Sequence, residues 1–147
     1  MSAGAPVTET VTYREATLDD WAAITEVRMS VRENVLRDPS KVTQADYVAY
    51  VTEIGKGWVA EIGGRIVGFS FANRSGLIWA LFLRPGSEGR GIGKQLLALC
   101  LDWLRAIGVA EAFLDTGAGT RAEEFYRRQG WREVDRDALK VDFKLRL

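Results

Sequence analysis

The sequence predicts one α/β (α+β) domain, a mixed sheet of about seven strands flanked by about four helices. Segments with strand and helix patterns follow one another in the order β-α-α-β-β-β-α-β-α-β-β. A Gly63-Gly64 pair between two β-rich runs is typical of a tight hairpin. An apolar run at residues 77–83, a glycine loop and an amphipathic helical pattern follow one another, which indicates a strand-loop-helix unit after this hairpin.

In the N-terminal half, residues 11–16 alternate apolar and polar side chains, as a half-buried strand does. Two patterns of Thr followed three residues later by Asp, at residues 17–20 and 43–46, predict capped helix starts. We expect these helices to end near Arg32 and at Gly55.

The middle of the chain predicts three strands, at residues 58–62, 65–73 and 77–83. The third is an uninterrupted apolar run, which indicates a strand covered on both faces. The remaining elements are a helix that Gly108 closes, a strand at 109–116, a helix from Thr120 to Gly130, and closing strands at 131–134 and 140–147.

Composition limits the function classes. A chain of 147 residues has room for one core. We expect residues 1–10 to be a flexible start and 11–147 to be a single domain. Twenty basic and twenty acidic residues cancel without long runs of either sign, so no nucleic-acid partner is expected. No apolar run approaches membrane-spanning length and the first residues lack a secretory pattern, which predicts a cytoplasmic protein without a membrane partner.

Histidine is absent and Cys100 is the one cysteine. This excludes Cys/His zinc sites and nucleophiles activated by His, and we predict no metal. Cys100 falls in the apolar stripe of a helix, where it is expected to be a core residue. The chemistry left uses carboxylates, Tyr, Lys, backbone N–H groups, or a cofactor with its own reactive group.

Residues 88–94 place three glycines at alternate positions before a helix, and N–H groups at a helix start form an anion site. A phosphate-bearing ligand is the first hypothesis, and a glycine-rich turn without a ligand is the alternative. The Walker pattern fails at Glu88 and Gln95. The dinucleotide pattern fails because Lys94 or Leu96 stands where its last glycine is needed.

The loop resembles the pyrophosphate loop of the GNAT superfamily of N-acetyltransferases. In that family Gln or Arg is commonly followed, after two residues, by Gly, any residue, and Gly or Ala. Gly91 and Gly93 match the small positions, whereas Glu88 departs from the first. Residues 125–131 are similar to the family's later F-Y-x-x-x-G-F/W segment, and the order of elements is that of the family's fold.

The resemblance implies that acetyl-CoA, or coenzyme A after transfer, is the cofactor. It implies a pantetheine arm along residues 81–83 and a diphosphate on the N–H groups of residues 89–94, with positive charge from two side chains of that loop. The implied cofactor-binding residues are Leu81, Phe82, Leu83, Glu88, Gly89, Arg90, Gly91, Ile92, Gly93, Lys94, Gly119, Thr120, Phe125 and Tyr126.

Tyr126 takes the position of the family's frequent general acid, which protonates the departing thiolate. The alternative is that its ring packs beside Phe125 and Trp131. Thr120 is expected to cap a helix, with a pantetheine contact as its other possible role.

The general base has no candidate on the strand before the loop, because residues 77–83 contain no acid. A water chain is one solution, and Glu33 is the candidate carboxylate, because the family's acceptor pocket is usually walled by the first two helices and their connection. Arg28, Arg32, Asn34 and Trp79 are candidate acceptor contacts, with a solvated helix face or core packing as the alternative. Arg28 and Arg32 at i and i+4 would favour an acceptor with a carboxylate or phosphate.

The resemblance implies an N-acetyltransferase in which an amine of a small molecule or peptide attacks the thioester directly. An acyltransferase that uses another acyl-CoA and a non-catalytic CoA-binding sensor are the alternatives. A homodimer is the default oligomeric state for the family.

Overall fold

The computed structural model describes residues 10–31 and 43–147. In this part of the chain, seven strands and four α-helices follow one another in the predicted order. They are β1 (Val11–Glu15), α1 (Trp21–Ser30), α2 (Gln44–Ala49), β2 (Gly55–Ile62), β3 (Arg65–Asn73), β4 (Ile78–Leu83), α3 (Ile92–Ala106), β5 (Glu111–Gly117), α4 (Arg121–Arg128), β6 (Arg132–Arg136) and β7 (Lys140–Arg146). A 3-10 turn (Leu18–Asp20) precedes α1, and a π-helical turn (Tyr50–Ile54) follows α2.

The strands form two antiparallel sheets, in the orders β1-β2-β3-β4 and β5-β7-β6. A parallel bridge between Leu77 and Phe113 joins them at the start of β4. Beyond that bridge the ladder does not continue within the described residues, so β4 and β5 diverge. The mixed sheet that the sequence predicts is therefore split, and β4 is the last strand of the larger half.

Two of the predicted helix caps are confirmed. The Thr17 N–H donates to Asp20 Oδ2 at 2.7 Å. Thr43 Oγ1 accepts from the Asp46 N–H at 3.2 Å, and the Thr43 N–H donates to Asp46 Oδ2 at 3.0 Å. The two bonds at Thr43 are reciprocal, and they satisfy N–H groups at the start of α2 that have no intrahelical acceptor.

The hairpin between β2 and β3 is confirmed, because Gly63 and Gly64 have φ angles of 59° and 80°. The start of β2 differs from the prediction, since Gly55 begins the strand instead of only ending the helix. Gly55 and Gly57 pair with Asn73 and Phe71 of β3. The absence of a side chain is needed at Gly57, where a Cβ would lie 2.1 Å from Phe71 Cε1.

Both faces of the larger sheet are covered. The cluster on one face joins α3 and α4 to the smaller sheet, with Leu96, Leu104 and Phe143 fully buried. The cluster on the other face joins α1 and α2 to β2 and β3. The helices thus bury their apolar sides against the sheet in two pairs, α3 and α4 on one face and α1 and α2 on the other.

Both faces of β4 are covered, as predicted for residues 77–83, but most of its residues are not fully buried. Ile78 is buried, whereas the other five residues of the strand are half-buried. The reason is topological, because β4 is an edge strand and β5 moves away from it after one bridge. The apolar run indicates a surface that a ligand can cover as well as protein can.

Gly57→Ala is predicted to lower the free energy of unfolding by about 1–3 kcal/mol, because the new methyl group overpacks against Phe71. Gly93→Ala is the matched control. Its Cβ would lie 3.6 Å from Leu83 Cδ1, in ordinary contact, and alanine favours a helix more than glycine does, so its free energy of unfolding should not fall. Urea unfolding of the three proteins measures both changes. A Gly57→Ala midpoint equal to that of the wild type would contradict the packing described.

Candidate functional site

The glycine loop has a backbone that requires glycine at two positions. Gly89 and Gly91 both have φ of 78°, in the left-handed region. A Cβ at either position would meet no atom within 4 Å among the described residues. These glycines are therefore set by conformation and not by crowding, and they leave the surface of the loop open to an approaching ligand.

The loop ends at the N-terminus of α3. Gly91 is the N-cap, and the Gln95 N–H donates to its carbonyl at 3.0 Å. The N–H groups of Ile92, Gly93 and Lys94 precede this first helical hydrogen bond. Because α3 has 15 residues, its dipole adds positive potential at the same place. Main-chain N–H groups and the helix dipole thus both favour an anion at the start of α3, and a diphosphate as that anion stays a prediction.

Glu88 folds back onto its own loop. Its Oε1 accepts from the Gly86 N–H at 2.6 Å, and its Oε2 lies 3.5 Å from Arg121 Nη1 at the start of α4. The carboxylate therefore shapes the turn and links the glycine loop to α4. It also places a negative charge beside a site for an anion, which is the consequence of the departure from Gln or Arg at this position.

The strand β4 offers an open edge that leads to this loop. Leu81, Phe82 and Leu83 pair with Ser70, Phe69 and Gly68 of β3 along one edge. On the other edge β5 has diverged, so an extended ligand could pair with the main chain there as an added strand would. Leu81 and Leu83 pack toward the α3 side, and Phe82 packs toward the α1 side.

A β-bulge lies in the same strand at Trp79. The partner of Phe71 is Ala80 and the partner of Ala72 is Ile78, which leaves Trp79 as the extra residue. Its ring stacks on Tyr50 with centroids 3.8 Å apart and an interplanar angle of 9°. No local sequence pattern predicts this stack, because it joins a bulge in β4 to the π-helical turn after α2.

Tyr126 lies in an aromatic cluster and is 6% exposed. Its ring centroid is 5.1 Å from that of Phe125, 5.5 Å from Trp131 and 6.1 Å from Phe143. The packing alternative named from the sequence thus describes its surroundings correctly. Since this packing also fixes the direction of the phenol, a role as general acid stays a prediction.

The loop before α4 is held by Glu123. Its Oε1 accepts from the Gly119 N–H at 2.9 Å, and its Oε2 lies 3.2 Å from Arg127 Nε and 2.6 Å from Arg136 Nη2. The hydrogen bond from Gly119, followed by the guanidinium of Arg136, lowers the pKa of Glu123 to about 2. Glu123 stays ionised at any pH near neutrality, so this support for the loop does not change with pH there.

Thr120 acts as the predicted helix cap. Its Oγ1 accepts from the Glu123 N–H at 3.3 Å and donates to the Gly117 carbonyl at 2.7 Å. Glu123 lies three residues after Thr120, the spacing of a capping box, but it accepts from the N–H of Gly119 and not from that of Thr120. The turn at Gly119 thus shifts the hydrogen-bond partner of Glu123 by one residue.

The acceptor side is described in part. Arg28 lies half-buried on α1, and burial lowers the pKa of its guanidinium. Arg28 and Trp79 belong to the side of the sheet that α1 and α2 cover. Arg32, Glu33 and Asn34 lie outside the described residues. The structure therefore brings two of the five predicted acceptor-side residues to one face.

The described residues contain no helix that is both long enough and apolar enough to cross a bilayer. The chain matches the acetyltransferase (GNAT) family over residues 20–131 and belongs to it. This family is the class that the element order, the glycine loop and the open edge of β4 define.

Two curated relatives are mycothiol acetyltransferases. The one from Pseudarthrobacter chlorophenolicus is 25% identical over 136 residues, which cover 82% of this chain and 41% of that protein. The one from Streptomyces bingchenggensis is 33% identical over 88 residues, 56% of this chain and 29% of that protein. The chain therefore spans less than half the length of these relatives.

Solved structures share the fold. The PaiA N-acetyltransferase from Thermoplasma acidophilum, in complex with coenzyme A, superposes with a TM-score of 0.80 at 16% identity and covers 94% of this chain and 99% of that one. The ribosomal-protein-S18-alanine N-acetyltransferase from Escherichia coli gives 0.78 at 16% identity, covering 93% and 94%. At these identities the likeness shows the fold alone.

Cys100 is predicted to resist alkylation in the folded protein. It is fully buried on α3, and burial raises the pKa of its thiol to about 12. The pKa of an unfolded thiol is about 8.5, so mildly alkaline pH forms thiolate in the unfolded chain but not in the native one. Stability contributed by the neutral thiol is lost as pH rises from the unfolded toward the folded value.

Mass spectrometry after iodoacetamide treatment checks this, with the urea-unfolded protein as the positive control. Rapid modification of the native protein would contradict the burial of Cys100 and reopen a role as a nucleophile.

Proposed function

We propose that the protein is an N-acetyltransferase that moves the acetyl group of acetyl-CoA to an amine of a small molecule or peptide. The observation that carries this proposal is the open edge of β4, which runs directly into the glycine loop at the start of α3. Membership of the GNAT family supports the same reaction.

The cofactor would lie along two adjoining main-chain surfaces. The amide groups of pantetheine would pair with residues 81–83 on the open edge of β4. The diphosphate would accept hydrogen bonds from the N–H groups of residues 89–94, with Arg90 and Lys94 adding charge. Gly119 and Thr120 at the start of α4, together with Phe125, would border the pantetheine on its other side.

The reaction needs one acid and one base. Bound acetyl-CoA would supply the acetyl group as a thioester, which would pass to the amine nitrogen while coenzyme A leaves as its thiolate. Tyr126 would donate the proton that the thiolate takes, and Glu33 or a water chain would accept the proton that the amine loses. The main contribution of the chain is to hold both reactants in line.

The acceptor would lie on the α1 side of β4. Trp79, held by its stack on Tyr50, gives this side a rigid aromatic wall. Arg28 with Arg32 would favour an acceptor that carries a carboxylate or phosphate, and Asn34 would be a further acceptor contact. Burial lowers the pKa of Arg28 but leaves the guanidinium charged at neutral pH, so it can pair with such a group. A screen in which only cationic amines react would contradict this.

Two other functions remain open to experiment. An acyltransferase that uses a different acyl-CoA would show a preference in a panel of acyl donors. A CoA-binding sensor, which the lack of an acid on β4 favours, would bind coenzyme A and release no thiol with any amine.

We also propose that the protein works in the cytoplasm as a homodimer.

Tyr126→Phe is predicted to lower kcat by about 10²-fold or more, because it removes the proton donor and keeps the ring. Affinity for acetyl-CoA should change little. Thiol release with a responsive amine, followed across pH, measures the first effect, and calorimetry measures the second. Tyr13→Phe is the matched control, a hydroxyl removed from β1. A rate equal to that of the wild type at every pH would assign Tyr126 to packing alone.

Glu88→Gln is predicted to tighten coenzyme A binding by about 2- to 5-fold. The amide keeps an oxygen for the Gly86 N–H while the negative charge beside the diphosphate is lost. The gain should shrink as salt is added. Glu124→Gln, which also removes a carboxylate paired with an arginine, is the control. Unchanged or weaker binding would show that the Glu88 charge does not face the cofactor.

A further inference from the structure

A cavity of about 530 Å³ lies on the far side of the glycine loop from α4. It is bounded by the C-terminal end of α1, the β2–β3 hairpin and the loop that follows β4. Its polar lining consists of Ser30, Arg65, Arg84, Ser87 and Arg90. Within the described part of the chain, the lining therefore carries three guanidinium groups and no carboxylate.

Arg84 is the fixed member of this group. Its side chain is 12% exposed, and its Nε donates to the Ile66 carbonyl at 2.8 Å. Its Nη1 lies 2.9 Å from Glu26 Oε1, outside the cavity lining. These two contacts orient the planar guanidinium and leave N–H donors for a ligand, so little freedom is lost on binding.

Arg65 is the exposed member of this group. Its side chain is 67% exposed, and its Nη2 lies 3.9 Å from the same Glu26 carboxylate. Arg65 and Arg84 thus share the single carboxylate of Glu26, so their two positive charges exceed its one negative charge. Arg90 adds a third guanidinium group to the lining. Ser87, 8% exposed, adds a hydroxyl to the cavity lining. In a chain with twenty basic and twenty acidic residues, this surplus is local and does not follow from composition.

We propose that this cavity binds the phosphoryl group of an anionic ligand. A phosphoryl group accepts hydrogen bonds from several directions at once, which suits guanidinium groups and a hydroxyl placed around one concave surface. The volume lies in the range of small-molecule sites and leaves room for an organic group on the phosphate.

The phosphoryl group can come from two sources. One is the 3′-phosphate of a bound coenzyme A, and this source rests on the proposed function. The other is a separate phosphorylated ligand, which does not require the acetyltransferase reaction. Both need the same contacts from Arg65, Arg84 and Ser87.

Calorimetry with inorganic phosphate tests the site in the full chain. Wild-type protein should bind phosphate, and Arg65→Ala should weaken binding by roughly tenfold. Arg65 is mostly exposed, so the variant should fold, which circular dichroism verifies. Arg105→Ala, at the other end of α3, is the matched control and should bind as the wild type does. Absence of heat with millimolar phosphate, or equal affinity in Arg65→Ala, would overturn the proposal.

Repeating the titrations with cofactor separates the sources. Phosphate that still binds in the presence of saturating coenzyme A identifies a separate ligand. If coenzyme A blocks phosphate, and Arg65→Ala weakens coenzyme A but not dephospho-coenzyme A, the ligand is the 3′-phosphate. If coenzyme A blocks phosphate and Arg65→Ala weakens both cofactors equally, the cavity belongs to the diphosphate site and the proposal fails.

Discussion

The divergence of β4 from β5 is the constraint on which the rest of this structure depends. One bridge, Leu77 with Phe113, brings the strands together, and the ladder then opens. A sheet edge normally invites uncontrolled pairing. Here the edge lies between two cores and ends at a helix N-terminus, so a ligand with amide groups at one end and phosphates at the other fits its two chemistries in order.

Contacts on both sides of the gap between β4 and β5 fix its position. On one side α3 packs into the core, with Leu83 and Phe125 beside Gly93 in its first turn. On the other side Glu123 fixes the turn before α4, and Glu88 of the glycine loop pairs with Arg121 at the start of α4. The same acids that position these loops also set the electrostatic potential that an anionic cofactor meets.

Much of the fold is encoded by short-range signals, and these predicted it well. The Gly63-Gly64 hairpin, the Thr17 and Thr43 caps and the glycine loop each depend on residues within a few positions of one another. The order of elements followed from these signals and was confirmed. The left-handed φ angles at Gly89 and Gly91 are a backbone conformation that glycine adopts at no steric cost.

The features that sequence did not predict depend on distant contacts. The half-buried state of β4 follows from the path of β5, which no window of residues 77–83 contains. The bulge at Trp79 and its stack on Tyr50 depend on the register with β3 and on the position of the segment after α2. The cavity beside Arg84 joins three segments far apart in sequence, each of which carries an ordinary arginine or serine.

Hydrogen exchange of the main-chain amides, with and without coenzyme A, tests the central claim most directly. The account predicts slower exchange at the β4 edge within residues 81–83 and at the start of α3 within residues 89–94, in the same titration. Protection confined to other segments, or no change at saturating coenzyme A, would contradict it.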